Sequence, residues 1–172
     1  QDGNEERMSN VVRIIESQVG NIKSGLLDAD QLKIVAVIPV RGDTRKLGNK
    51  HQVCYTIEAA LKSRFIDRVI VSTDSENTAE IARQSGAECP FIRPPDLSQP
   101  QVNLQSVQKY SLEKIEQDNY FPDLFVHMEE TYPFRGDGLL DGMIQHLLEE
   151  GHDSVIAARP ETGWMWRETA NK

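Results

Sequence analysis

The stretch KIVAVIPVRGD, Lys33 to Asp43, decides the fold class. Its first eight residues form a near-continuous apolar run rich in Val and Ile. That pattern suits a strand buried on both faces of a parallel sheet, where water-facing alternation is absent. A small-residue, cationic loop follows at once, from Arg41 through Gly42, Asp43, Thr44, Arg45 and Lys46. Backbone N–H groups and basic side chains in such a loop can wrap phosphates. A basic surface loop with no ligand is the plainer alternative. The loop fits neither a Walker motif nor GxGxxG, which disfavours a P-loop ATPase and a nicotinamide dehydrogenase.

Outward from this segment the chain alternates strand and helix. Tyr55–Ser63 reads as helix, Arg68–Thr73 as a second buried strand, and Glu76–Ser85 as a helix closed by Gly86. Ala87–Ile92 reads as a short strand stopped by Pro94 and Pro95. Val102–Asn119 is an amphipathic helix, Asp123–Met128 a strand, 138–150 a helix, and Asp153–Ala158 a fifth strand. This rhythm predicts an α/β fold, a three-layer, doubly wound, mostly parallel sheet of the Rossmann-like nucleotidyltransferase kind. In such a sheet ligands sit beyond the carboxyl ends of the strands.

Composition bounds the rest. The 172 residues suffice for one α/β domain, predicted at 31–172. Residues 1–30 carry an apolar stripe (Met8, Val11, Val12, Ile15, Val19, Ile22, Leu26) and read as an added helix or the tail of a preceding domain. The opening Gln1 suits a fragment. A net charge of −8 argues against a nucleic-acid binder, and no apolar run is long enough to span a bilayer. Cys54 and Cys89 lie in apolar contexts and are expected as buried thiols of a cytoplasmic protein. The RGD tripeptide at Arg41–Asp43 and again at Arg135–Asp137 is taken as coincidence.

Residues just after strands are the candidates for chemistry. Ser72-Thr73-Asp74-Ser75 follows the second strand. There Asp74 can hold Mg²⁺ or a ribose hydroxyl, or one of Thr73, Asp74 and Ser75 can cap the next helix. Glu129-Glu130-Thr131-Tyr132-Pro133-Phe134-Arg135 follows the fourth strand, with two acids and a guanidinium able to meet a metal, a sugar hydroxyl and a carboxylate. A solvated acidic loop is the alternative.

In order, IPVRG, YTIEAALKS, DRVIVSTDS, AECPFIRPPDL, ETYPFR and DSVIAA resemble the acylneuraminate and 3-deoxy-octulosonate cytidylyltransferase family, the CMP-sugar synthetases. The likeness spans about Lys33 to Trp166, and WMWR at Trp164–Arg167 fits its style. It implies a transferase joining CMP from CTP to a 2-keto sugar acid with release of pyrophosphate. The setting implied is lipopolysaccharide or capsule biosynthesis, with Mg²⁺ as cofactor and a homodimer as the full-length form.

The resemblance matches Arg41 to the family's IPARGGS loop, implying triphosphate contact there and at Gly42. Ser72, Thr73 and Asp74 match its STD segment, implying nucleotide contacts and a metal role for Asp74. Thr131, Pro133 and Arg135 match its QPTSPLR segment, which lines the nucleotide and sugar pocket, implying substrate contacts at Glu129, Thr131 and Arg135. Arg41 and Lys46 are the catalytic candidates; the loop after Gly42 is shorter than the family's, either by a true shortening that removes its lysine, which Arg45 and Lys46 replace only in part, or because residues are missing from this sequence. Glu129 replaces a glutamine and Tyr132 a serine, so sugar recognition is expected to differ. The family's dimerisation and sugar-binding segment is expected beyond Lys172. A nucleotide-binding module without catalysis and a sugar-1-phosphate nucleotidyltransferase are the competing readings.

Overall fold

The computed structural model describes residues 32–158. The expected helix within 1–30 and the WMWR segment lie outside these residues. Strand β1 (Ile34–Val40) is the centre of the architecture, and all its residues are buried except the half-buried Pro39. A two-residue hairpin, β2 (Lys46–Leu47) with β3 (Lys50–His51), then feeds helix α1 (Gln52–Leu61). Strand β4 (Arg68–Thr73), helix α2 (Glu76–Gln84), helix α3 (Leu104–Gln117), strand β5 (Leu124–His127) and helix α4 (Leu139–Glu150) follow.

β1 pairs in parallel with β4 on one side and β5 on the other, giving the order β4-β1-β5. The chain moves outward to β4 and later returns to the opposite side of β1. A crevice therefore opens beyond the strand ends, where ligands bind in open α/β sheets. The alternation of side chains along β1 explains why it is apolar throughout. Ala36, Ile38 and Val40 pack with Val53 and Ile57 of α1 and Ala82 of α2, and Ile34 packs with Ile144 and Leu148 of α4. Val35 and Val37 pack on the other face with Ile70 and Ile115 of α3. Helices thus cover both faces, as the three-layer expectation requires.

Two predicted strands are corrected. Ala87–Ile92 touches β4 only at isolated bridges, Ile70 with Glu88 and Thr73 with Ile92. Glu88 exchanges two backbone hydrogen bonds with Val69 and Val71, but Pro90 has no N–H to continue the ladder. Asp153–Ala158 forms no strand; Ile156 is 84% exposed, and no other described strand pairs with this segment. A strand of this length is held by its ladder and its buried face, and here it has neither. Both cysteines are free and buried, as expected. Burial pushes the Cys89 thiol above its ordinary range.

Candidate active site

The loop after β1 is tied at nearly every residue. Gly42 adopts a positive φ of 67°, and its N–H donates to Asp74 Oδ1 at 2.8 Å. Thr78 Oγ1 donates to the Gly42 carbonyl at 2.9 Å and accepts from Thr44 N–H at 2.9 Å. Thr44 is buried; its hydroxyl accepts from Val53 N–H at 3.2 Å and donates to Glu130 Oε2 at 2.8 Å. The first loop, the start of α2, the start of α1 and the loop after β5 are thereby joined through two threonines.

The helix-capping question at 73–75 resolves in favour of Ser75, whose Oγ accepts from Thr78 N–H at 3.1 Å. That leaves Asp74 available for the loop. Beneath it lies Arg93, only 3% exposed, which the sequence reading did not single out. Its guanidinium donates to the carbonyls of Ser72 at 2.8 Å and Val40 at 3.1 Å, to Ser98 Oγ at 3.2 Å, and approaches Asp74 Oδ1 at 3.5 Å. Arg93 therefore clamps the carboxyl ends of both β1 and β4. Burial lowers its pKa, with Asp74 opposing and Arg41 adding to the fall. The signal in sequence was a lone arginine between an apolar pair and two prolines, in FIRPP.

A cleft of about 590 Å³ opens beyond these strand ends. Arg41, Asp43 and Arg45 line it from the first loop, Glu129, Glu130 and Thr131 from the loop after β5, and Leu104 and Val107 from α3. Burial raises the Glu130 carboxyl above its usual range, against the opposing effects of the Thr44 hydrogen bond and nearby Arg45. Glu129 Oε2 accepts from Thr131 Oγ1 at 3.0 Å, and His127 Nε2 stands 3.6 Å from Glu129 Oε1.

The structure brings Arg41, Glu129 and Thr131 to one cleft, with Gly42 and Asp74 adjoining its lining, while Arg135, Lys46, Ser72 and Thr73 do not line it. Arg135 turns back to donate to the Glu129 carbonyl at 2.7 Å and Thr56 Oγ1 at 3.1 Å. It lines a smaller neighbouring cavity of about 230 Å³ with Tyr55 and Phe134. Lys46 is exposed in the hairpin opposite His51 and does not line the cleft; Arg45 does. The two-residue ladder redirects the chain at this point. Ser72 and Thr73 are fully buried. Ser72 Oγ accepts from Ser111 at 2.9 Å, and Thr73 Oγ1 accepts from Ser75 N–H at 3.1 Å. Their hydroxyls are spent on positioning within the protein rather than presented to the cleft. Gly42 and Asp74 lie directly behind the cleft wall.

Among the described residues no group of three His, Cys, Asp or Glu side chains stands ready for a metal. Mg²⁺ does not require one, since it commonly takes one or two carboxylates together with phosphate oxygens and water. Asp74 commits Oδ1 to Gly42 and Arg93, and among the described residues nothing occupies Oδ2. The donor set fits a phosphate-borne divalent ion.

A family profile described as cytidylyltransferase matches residues 44–164, taking in the segments after β4 and β5 but starting just beyond Gly42 and Asp43. The chain is 35% identical over 112 residues to a CMP-N,N'-diacetyllegionaminic acid synthase of Legionella pneumophila, covering 60% of this chain and 48% of the relative. It is 26% identical over 135 residues to a pseudaminic acid cytidylyltransferase of Campylobacter jejuni, covering 74% and 58%. It is also 36% identical over 113 residues to an N-acylneuraminate cytidylyltransferase of Escherichia coli, covering 60% and 25%. The chain thus spans about half the length, or less, of these curated relatives. A solved structure of CMP:2-keto-3-deoxy-manno-octonic acid synthetase complexed with CTP matches at a TM-score of 0.50 and 17% identity, covering 67% of this chain and 47% of that one. At that identity the likeness establishes the fold.

Proposed function

The chain belongs to the cytidylyltransferase family, and from that premise we propose that it is the nucleotide-binding part of an enzyme joining CMP from CTP to a 2-keto sugar acid. The acid is of the nonulosonic or octulosonic class, and pyrophosphate is released. The observation that carries this reading is the cleft at the carboxyl ends of β1 and β5, lined by Arg41 and Arg45 from one loop and by Glu129 and Thr131 from the other.

Phosphoryl and nucleotidyl transfer ask little covalent chemistry of a protein; they ask for positioning and charge stabilisation. Arg41 and Arg45 are assigned to the triphosphate, where they offset charge that builds on the departing pyrophosphate. Gly42 keeps the loop backbone close to the ligand, held by Asp74. Arg93, buried behind them, fixes the strand ends so that the cationic loop does not reorganise during reaction. Glu129 and Thr131 are assigned to sugar hydroxyls. Ionised Glu129 only accepts hydrogen bonds, so it selects donors on the sugar where glutamine offers both. Arg135, on the neighbouring cavity, is assigned to the sugar acid's anionic side.

The cytidylyltransferase family generally uses a divalent metal, and we assign Mg²⁺, with Asp74 as its protein ligand. When bound, such an ion neutralises phosphate charge and orients the leaving group. No described helix is long and apolar enough to cross a membrane. A cytoplasmic homodimer supplied with CTP is the setting proposed for the full-length protein.

The test is pyrophosphate release from CTP by the full-length protein, with Mg²⁺ and a panel of eight- and nine-carbon 2-keto sugar acids. Release with at least one acid supports the transferase. The placement of Lys46 outside the cleft favours one second reading, a CTP-binding module without turnover. Tight CTP binding with no pyrophosphate from any acid would decide for that module.

A further inference from the structure

Glu130 is not accounted for by the roles assigned above. It is half-buried, it lines the cleft between the Arg41–Arg45 loop and Thr131, and one of its oxygens is held by a buried neighbour. The direction of that hold is informative. Val53 N–H donates into Thr44 Oγ1, so the hydroxyl's own proton points away from Val53, onto Glu130 Oε2. In this arrangement Thr44 donates to Glu130. It stabilises the carboxylate at Oε2, and among the described residues no donor reaches Oε1.

From this geometry we infer that Glu130 is the general base of the transfer, taking the proton of the sugar acid's attacking hydroxyl on Oε1. The inference rests on the transferase reading. In the step, the hydroxyl oxygen forms a bond to the α-phosphorus of CTP while the bond from that phosphorus to the bridging oxygen breaks. Pyrophosphate leaves with the electron pair, and the hydroxyl proton moves to Glu130, which later returns it to water. Burial holds this carboxyl above the ordinary range and so nearer to working pH, where a base is most effective. Thr44 is then a positioning residue, delivered to this bond by the loop after β1.

Other charged groups surround Glu130. Arg41, Arg45, Asp43 and Glu129 line the same cleft, Arg93 lies at its floor, His51 Nδ1 is 3.3 Å from the Thr44 carbonyl, and His127 adjoins Glu129. The wild-type pH profile sums over every ionisable group in the cleft. The variants must therefore be compared across pH.

The experiment measures pyrophosphate release by wild type, Glu130→Gln and Glu130→Ala in the full-length protein with CTP and the sugar-acid panel. A positioned general base contributes roughly 10²–10⁴-fold, so Glu130→Gln should lower kcat by about 100-fold or more. Its KM for CTP should stay within about threefold, and the acid limb of its residual kcat/KM profile should disappear. Formate should restore part of the activity of Glu130→Ala. Folding is checked by melting. A carboxyl whose pKa is raised on folding favours the native state below its unfolded pKa, and that contribution is lost as pH rises through the folded value. Glu130→Gln should therefore melt at or above wild type near pH 7. Turnover within about threefold of wild type, or loss without formate rescue and with the acid limb intact, overturns the base role and leaves the transferase reading standing. Wild-type protein that binds CTP and releases pyrophosphate with no acid overturns both.

Discussion

The loops that follow β1 and β5 face one cleft, yet they are built on opposite plans. The first, Arg41–Arg45, is tied by Asp74, Thr78 and Val53, and its Thr44 is only 5% exposed. The second, Glu129–Arg135, is anchored at its ends, by Thr44 on Glu130 and by Arg135 on the Glu129 carbonyl. Between those anchors it presents Tyr132 and Phe134, 68% and 77% exposed. In the proposed function the triphosphate is common to every sugar acid used, so a rigid cradle suits it and stores its organisation in advance. Sugar acids differ, and a rim whose side chains face solvent can change without disturbing the fold. The family profile covers the whole β5 loop and begins only at Thr44 in the first.

The contrast breaks most severely at Arg93. Arg93→Met removes the donor that satisfies the Val40 and Ser72 carbonyls and faces Asp74. Each buried carbonyl left without its donor costs about 1–3 kcal/mol, so denaturant unfolding should show a loss of that order. The whole cleft should lose CTP with it. If stability falls by less than about 1 kcal/mol, the first loop does not depend on this clamp.

Arg41 tests the cradle without its foundation. Arg41→Ala should weaken CTP binding by roughly ten- to a hundredfold in calorimetry, as removal of a charge-assisted phosphate contact does, with little change in melting temperature. Lys46→Ala should stay within about twofold, because the hairpin keeps Lys46 off the cleft. A larger effect at Lys46 than at Arg41 would mean that the loop rearranges around the nucleotide.

The smallest effect is expected on the rim. Tyr132→Ser should leave CTP affinity within about twofold and shift the KM for the sugar acid by several-fold, since an exposed side chain adds contact rather than structure. An equal change for both substrates would erase the proposed division between cradle and rim.

Much of this arrangement was legible in the sequence. The unbroken apolar run of β1 announced a doubly covered strand, because both faces of a central parallel strand exclude water. Arg41, Gly42, Asp74, Glu129 and Thr131 stood directly after strands, where the topology sends ligands. Local patterning is a sound guide there because strand ends are set by the chain's own periodicity. It failed where pairing decides. Ala87–Ile92 has strand composition, but Pro90 interrupts its ladder, and Asp153–Ala158 has the pattern without a described partner.

The tertiary structure alone decided which polar groups meet. Arg93 reads as an ordinary cation until the fold places it under two strand ends 53 and 21 residues earlier in the chain. Ser72 reads as a ligand contact until Ser111, 39 residues away, takes its hydroxyl. The segment beginning at Lys33 therefore established the sheet and the edge where ligands bind. Which of its loop residues face that edge depended on hydrogen bonds to distant residues. Such bonds form only once the chain has closed on itself, and periodicity along the sequence carries no record of them.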